Sequence, residues 1–173
     1  MESKSYIKEQ LLTTKIHINS SDIFNTQNID SLIKFQLKKN LEGHCGKYGY
    51  VIPNSLVIIK RSVGTTLANS DSSKIEFNIN YKIKVISPSV NDIYECIIDN
   101  ITKMGILAYL KTDIPELNNI KDSPILIIIP QEYLNDNNIE DFKSGDIIQI
   151  IILDSRIKYH SKQIQTVAKI YNS

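Results

Sequence analysis

A chain of 173 residues with 42% hydrophobic content can bury a sizeable core, as one large domain or two small ones. Its formal net charge of +1 argues against a strongly electrostatic nucleic-acid binder, and no apolar run approaches the roughly 20 residues of a bilayer span. The polar, charged stretch 1–10 carries no apolar signal core, and Cys45 and Cys96 stand too far apart in unrelated contexts to read as a disulfide framework, so an intracellular, reducing compartment is expected. Heavy use of isoleucine, asparagine and lysine with no tryptophan reads as AT-rich codon bias.

The first predicted element is a strand, Leu12 to Ile18, with Leu12, Ile16 and Ile18 on one face. A helix is expected from about Asn25 to Lys39. There Ile29, Leu32, Ile33 and Leu37 recur at helical spacing, Asn25 or Thr26 offers an N-cap, and Lys38 and Lys39 suit the negative end of the helix dipole. Asn40 and Gly43 can end it. Two strands follow, Tyr50 to Lys60 and Lys74 to Ile86; the second alternates Ile75, Phe77, Ile79, Tyr81, Ile83 and Val85 against polar residues, one face buried and one wet. The polar stretch 62–73 reads as a surface loop. These elements make an α+β half, a small antiparallel sheet with one packed helix, spanning 1–87.

From 88 to 173 the pattern changes to five strands: Ile93 to Asn100, Gly105 to Leu110, Ile125 to Ile129, Asp146 to Leu153 and Gln163 to Tyr171. Five short strands suggest a small barrel. Gly105 stands where a strand must bend or pass another backbone closely. The run Ile125 to Ile129 is continuously apolar and is expected to be buried on both faces, and the Asn-rich stretches 111–123 and 131–144 have room for short helical turns.

Between helix and strand lies Glu42-Gly43-His44-Cys45-Gly46-Lys47-Tyr48-Gly49-Tyr50. Three glycines at intervals of three allow close backbone approach, and Tyr48 and Tyr50, two apart on an extended segment, would point to one side as amphipathic anchors. The same residues also suit a plain tight connection with two packed tyrosines. Enzymatic readings fail on spacing. Gly46-Lys47 is followed by tyrosine where a phosphate loop needs Ser or Thr. Adjacent His44 and Cys45 would point to opposite sides, and two cysteines with His17, His44 and His160 lack the paired spacing of a zinc site. No catalytic constellation, cofactor or metal is expected.

The stretch Leu41 to Tyr50 resembles a motif of the stalk subunit of multisubunit DNA-dependent RNA polymerases, the seventh-subunit family of eukaryotes and E subunit of archaea. That motif runs Glu-Gly-x-Cys, then glycine, aromatic, glycine, aromatic; here it has one residue fewer between Cys45 and Gly46. Phe77 to Val85 followed by Pro88 resembles the family's strand and junction proline, Ile93 to Leu110 its S1-type oligonucleotide-binding barrel through the glycine at Gly105, and Gly145 to Arg156 its closing strands. Three places depart from the family pattern. Asn91-Asp92 replaces the usual Gly-Glu, Asn69 to Ser73 replaces a glycine-rich turn, and Ile106 and Leu107 stand where S1-type RNA binders present aromatics. Such divergence with AT-rich bias suits a large DNA virus.

The resemblance implies a non-catalytic polymerase subunit whose 42–50 tip docks between the largest subunit and a small assembly subunit. A second stalk subunit would be a further partner, and the S1-like barrel would stand near the nascent RNA. It implies a nuclear location or, for a virus, the cytoplasmic replication site and virion, with no membrane. The residues themselves offer one modest basic patch for weak RNA binding: Lys103, Tyr109 and Lys111 around the second barrel strand, with Arg156, Lys158, Tyr159 and His160 before the last. The alternative is a free S1-type RNA-binding factor of translation or RNA decay, which leaves the amino-terminal half unexplained.

Overall fold

The computed structural model describes residues 6–67, 73–134 and 139–171. They fall into two compact units: Ile7–Gly43 with Val51–Val85, and Tyr6 with His44–Tyr50 and the described residues from Ile86 onward. The fold class is α+β with an OB-type barrel.

In the first unit strand β1 (Ile7–Asn19) leads through a short helix α1 (Ser20–Phe24) to helix α2 (Ile29–Leu41). The helix starts later than its periodicity predicts. Thr26 Oγ1 accepts from the Asn28 amide, holding 26–28 in a turn, and Asn28 rather than Asn25 or Thr26 caps α2, its side chain accepting from the Ser31 amide at 3.2 Å. Strand β6 (Lys74–Ile86) matches its predicted limits and alternation, and Phe77, Ile79, Tyr81, Ile83 and Val85 pack with Ile16, Ile18, Ile33 and Leu37 in one core.

The strand expected from Tyr50 to Lys60 is broken into β3 (Gly49–Val51) and β4 (Val57–Arg61). The reason is local. The Glu42 carboxylate accepts from the Asn54 and Leu56 amides at 2.9 and 3.0 Å, and Asn54 takes φ +60°, which together fix a turn. The predicted loop 62–73 contains one further short strand, β5 (Thr65–Thr66), while 68–72 lie outside the described residues. Both β4 and β5 pair antiparallel with β6.

The second unit is a closed five-stranded barrel: β7 (Ile93–Thr102), β8 (Gly105–Leu110), β9 (Ile125–Pro130), β10 (Ile147–Arg156) and β11 (Ile164–Ile170). Around the barrel the order is β10-β11-β9-β8-β7, with β10 returning to β7; neighbours are antiparallel except β9 and β11. Gly105 meets both demands read from sequence: its φ is +143°, and any Cβ there would collide with the Ile129 carbonyl. Asn91 takes φ +69°, a conformation asparagine tolerates better than other side chains. The next residue, Asp92, accepts from the Ser89 amide and the Tyr94 hydroxyl.

Strand β9 corrects one expectation. Ile125, Ile127 and Ile129 are fully buried, but Ile128 is 42% exposed, so the apolar run is buried on one face only. Its outward neighbours Leu107 and Val167 are themselves aliphatic, which is why the sequence shows no alternation. Short 3₁₀ turns occupy Pro115–Leu117, Gln131–Tyr133 and Ile139–Asp141 as the Asn-rich stretches allow, while 135–138 lie outside the described residues.

Candidate functional site

The glycine-rich segment folds into a two-residue hairpin. Strand β2 (Cys45–Gly46) pairs with β3, Cys45 opposite Tyr50 and Gly46 opposite Gly49, with Lys47 and Tyr48 at the turn. Neither turn residue takes positive φ; Gly49 does, at +127°. A Cβ at Gly49 would collide with the Ile86 carbonyl, so this glycine answers to the chain's own backbone. Gly46 differs. Its φ is not positive and the nearest atom to a Cβ there is 4.0 Å away, so among the described residues no close approach requires glycine. Glu42 and Gly43 belong to the end of α2: the Glu42 carboxylate is engaged by the turn described above, and the Gly43 amide, at φ +74°, donates to the Val51 carbonyl.

The two tyrosines do not share a face, because Tyr48 sits in the turn, where the alternation of an extended strand does not hold. Tyr50 is 3% exposed; Tyr48 is 40% exposed, with Lys47 Nζ 5.4 Å from its ring centroid. Burial pushes the Tyr50 hydroxyl up to about 12, helped by the charges of Cys45 and Asp122. Burial likewise raises the Cys45 thiol to about 11 against the opposing effect of a hydrogen bond with Ser161, and the Cys96 thiol to about 12. Burial thus keeps both thiols in the neutral form near neutral pH.

The hairpin is fastened to the connection between β10 and β11. The Cys45 amide donates to the Ser161 carbonyl at 2.7 Å, and the His160 amide donates to the Cys45 carbonyl at 2.9 Å. His160 takes φ +62° to do so, and its ring lies 4.1 Å from that of Tyr159, edge to face. Lys158, Tyr159 and His160 are all exposed, Tyr159 at 64%. Segment 155–163 reads Ser-Arg-Ile-Lys-Tyr-His-Ser-Lys-Gln, with basic residues at 156, 158, 160 and 162 and no carboxylate. Tip hairpin and basic run, read from sequence as separate features, therefore adjoin.

The remaining basic-patch residues divide. Strand register sets Tyr109, Leu126, Gln165 and Arg156 side by side on the outer face of four strands, Arg156 ending β10 rather than lying in a loop. Lys111, after the last residue of β8, is at the same barrel end, but its ammonium is 2.9 Å from the Glu95 carboxylate. Lys103 sits in the β7–β8 turn at the opposite end of β8, so it does not join the patch. Ile106 faces the barrel core and Leu107 points outward, so only Leu107 occupies a surface position. Sequence reasoning missed Ser161 and Asp122. Both act through partners far away along the chain, Cys45 and Tyr50, and neither belongs to a motif.

Among the described residues no three of His, Cys, Asp and Glu cluster as metal ligands, and no helix is long and apolar enough to cross a membrane. One end of the OB-type barrel thus carries the hairpin, exposed tyrosines and exposed cations together. No protein-family model matches the chain. It is 21% identical over 183 residues to "Putative DNA-directed RNA polymerase subunit L376" of Acanthamoeba polyphaga mimivirus, covering 98% of this chain and 84% of that protein. It is 24% identical over 130 residues to DNA-directed RNA polymerase II subunit RPB7 of Glycine max, covering 75% of this chain and 64% of that one, just under two thirds of the plant subunit. An uncharacterized protein of Methanocaldococcus jannaschii aligns in structure with 15% identity and a TM-score of 0.35, over 46% of this chain and 90% of that one. Both sequence relatives are named as RNA polymerase subunits, and they support a stalk-like polymerase subunit at a distance.

Proposed function

We propose that the chain is a non-catalytic stalk subunit of a DNA-dependent RNA polymerase. The observation that carries this reading is the likeness to the viral polymerase subunit along 98% of the chain, which takes in the amino-terminal unit as well as the barrel. A free S1-type factor would call for the barrel alone. The outer side of the hairpin, Gly46, Lys47 and Tyr48, docks against the core enzyme, its partners being the largest subunit and the small assembly subunit. Gly46 supports this, since a glycine with no internal reason leaves room for a partner's backbone. A tyrosine at a turn tip offers a large contact with few rotors to freeze.

The barrel end beside it stands near the exiting RNA, which Arg156, Lys158, Tyr159 and His160, with Tyr109, contact weakly. In a large DNA virus the protein works at the cytoplasmic replication site and in the virion; in a cell it works in the nucleus, beside a second stalk subunit. Affinity purification of the tagged chain from its native source, read by mass spectrometry, tests the assignment. Recovery of the two largest polymerase subunits in near-stoichiometric amount is the expected result; ribosomal proteins or nuclease complexes in their place would overturn it.

A further inference from the structure

Charge is divided unevenly between the two units. Residues 7–43 and 51–85 hold ten lysines and arginines against six carboxylates, net +4, whereas the rest of the chain holds ten against thirteen, net −3. The total of +1 hides a cationic amino-terminal unit. An imbalance of this kind makes that unit, rather than the barrel, the half that attracts a polyanion. Within it the excess lies on one face. Phe77, Ile79, Tyr81, Ile83 and Val85 turn one side of β6 into the core, so Lys74, Glu76, Asn78, Asn80, Lys82 and Lys84 stand on its outer side. Side chains of β1 meet that side: Thr13 bonds Asn80 at 3.0 Å, Lys15 and His17 meet Glu76 at 3.0 and 2.9 Å, and Glu9 meets Lys82 at 3.1 Å. Strand β4 adds Lys60, opposite Asn80.

The outer face therefore holds five lysines and His17 against Glu9 and Glu76, and counting Asp22 beside His17 at its end still leaves the cations ahead. Lys60, Lys74 and Lys84 are exposed and form no ion pair among the described residues. Lys74 and Lys84 stand roughly 34 Å apart along the strand, a spread that fits a linear polyanion better than a compact acidic patch. A docked protein segment needs a desolvated apolar centre. The exposed aliphatics here, Leu11 on β1 with Val57 and Ile59 on β4, are kept apart by the polar row of β6. A phosphate chain needs only cations and hydrogen-bond donors, and Asn78 and Asn80 add donors between the lysines. Strands β1, β4 and β6 present no aromatic on this side, so bases are neither stacked nor read. We infer that the outer face of the amino-terminal sheet binds the phosphate backbone of single-stranded nucleic acid through Lys60, Lys74 and Lys84.

Such binding requires no polymerase, so the isolated full chain tests it whatever becomes of the subunit assignment. Fluorescence anisotropy with a labelled oligouridylate of about 12 nucleotides, at about 50 and 200 mM salt, compares wild type with the triple variant Lys60→Ala, Lys74→Ala, Lys84→Ala. The triple variant should bind well over tenfold more weakly at the lower salt, and the slope of log K against log salt should shrink by about 2, at about 0.7 for each phosphate released. Its melting temperature should not change. Arginine at the same three positions should keep wild-type binding, and DNA of matching sequence should bind within a few-fold of RNA, because phosphates carry the contact. In the otherwise unaltered chain, the photo-crosslinking residue benzoylphenylalanine at Asn80 should join the bound oligonucleotide. Wild-type affinity and slope in the alanine variant, arginine variants as weak as the alanine ones, or silence at position 80 under saturating RNA would each overturn the inference. So would a loss confined to Arg156→Ala, Lys158→Ala, which would leave nucleic acid on the barrel alone.

Discussion

The two sides of the 44–50 hairpin obey different constraints. On its inner side Cys45, Gly49 and Tyr50 are buried, Gly49 pressed against the Ile86 carbonyl and Cys45 paired through its backbone with His160 and Ser161. On its outer side Lys47 and Tyr48 are exposed, and half-buried Gly46 has room for a Cβ. One motif thus meets two kinds of constraint, and which residue meets which cannot be judged from its chemical type: there is a glycine and a tyrosine on each side. A short glycine-aromatic motif is therefore best divided by whether the chain itself supplies the close approach.

Substitutions can break that division. Tyr50→Ala should destabilise the protein by about 3–5 kcal/mol, the usual cost of truncating a buried aromatic. Gly49→Ala should cost several kcal/mol as well, because a Cβ there meets both positive φ and a backbone carbonyl. Gly46→Ala should change stability by no more than about 0.5 kcal/mol, the range of ordinary surface changes. Chemical denaturation of the three variants decides the matter, and a Gly46→Ala variant as unstable as Gly49→Ala would erase the distinction between the sides.

Alkaline pH probes the buried thiols, Cys45 on the hairpin's inner side and Cys96 on β7. The ordinary thiol pKa of 9.0 is raised by burial to about 11 at Cys45 and to about 12 at Cys96. Between these values the unfolded chain releases protons that the folded chain keeps, so folding stability is intact below about pH 9 and falls as pH rises above it. Melting temperatures measured from pH 7 to 11 should stay level and then drop, and the Cys45→Ala, Cys96→Ala double variant should drop less steeply. An equally steep fall without the thiols would show that other groups govern it.

The smallest effect concerns RNA. Binding of single-stranded RNA should lie in the non-specific range of roughly 10⁻⁴ to 10⁻⁶ M, with a shallow salt slope. Replacing Arg156 and Lys158 with alanine should weaken it several-fold and lower that slope by about one for each phosphate no longer engaged, whereas Lys103→Ala at the far end of β8 should do nothing. Fluorescence anisotropy at two salt concentrations reads both. Nanomolar, sequence-selective binding would instead favour a free RNA-binding factor.

Much of the fold was legible in the sequence. Strand β6 and strand β8 have the limits that pattern alone predicts, because a period of two with one face apolar and a boundary glycine leave little freedom. The α2 start, the break between β3 and β4, and the exposed face of β9 were not legible. Each depends on a side chain meeting a distant or unpatterned partner: Thr26 on the Asn28 amide, Glu42 on the Asn54 and Leu56 amides, Leu107 and Val167 flanking Ile128. At the site, the glycine-rich turn within 44–50 and the basic character of 156–160 could be read, but their adjacency could not. It comes from two backbone hydrogen bonds between Cys45 and residues 160 and 161, and backbone amides carry no sequence signal.

Retention of core polymerase by the tagged Tyr48→Ala variant tests the central claim most directly, because Tyr48 is the exposed aromatic of the hairpin and its loss should leave the fold intact. Truncating such an anchor costs about 2 kcal/mol of binding, so retention relative to wild type should fall well over tenfold at limiting concentration, with an unchanged melting temperature. Equal retention by a normally folded variant would contradict the account and remove the hairpin's outer side from the docking surface.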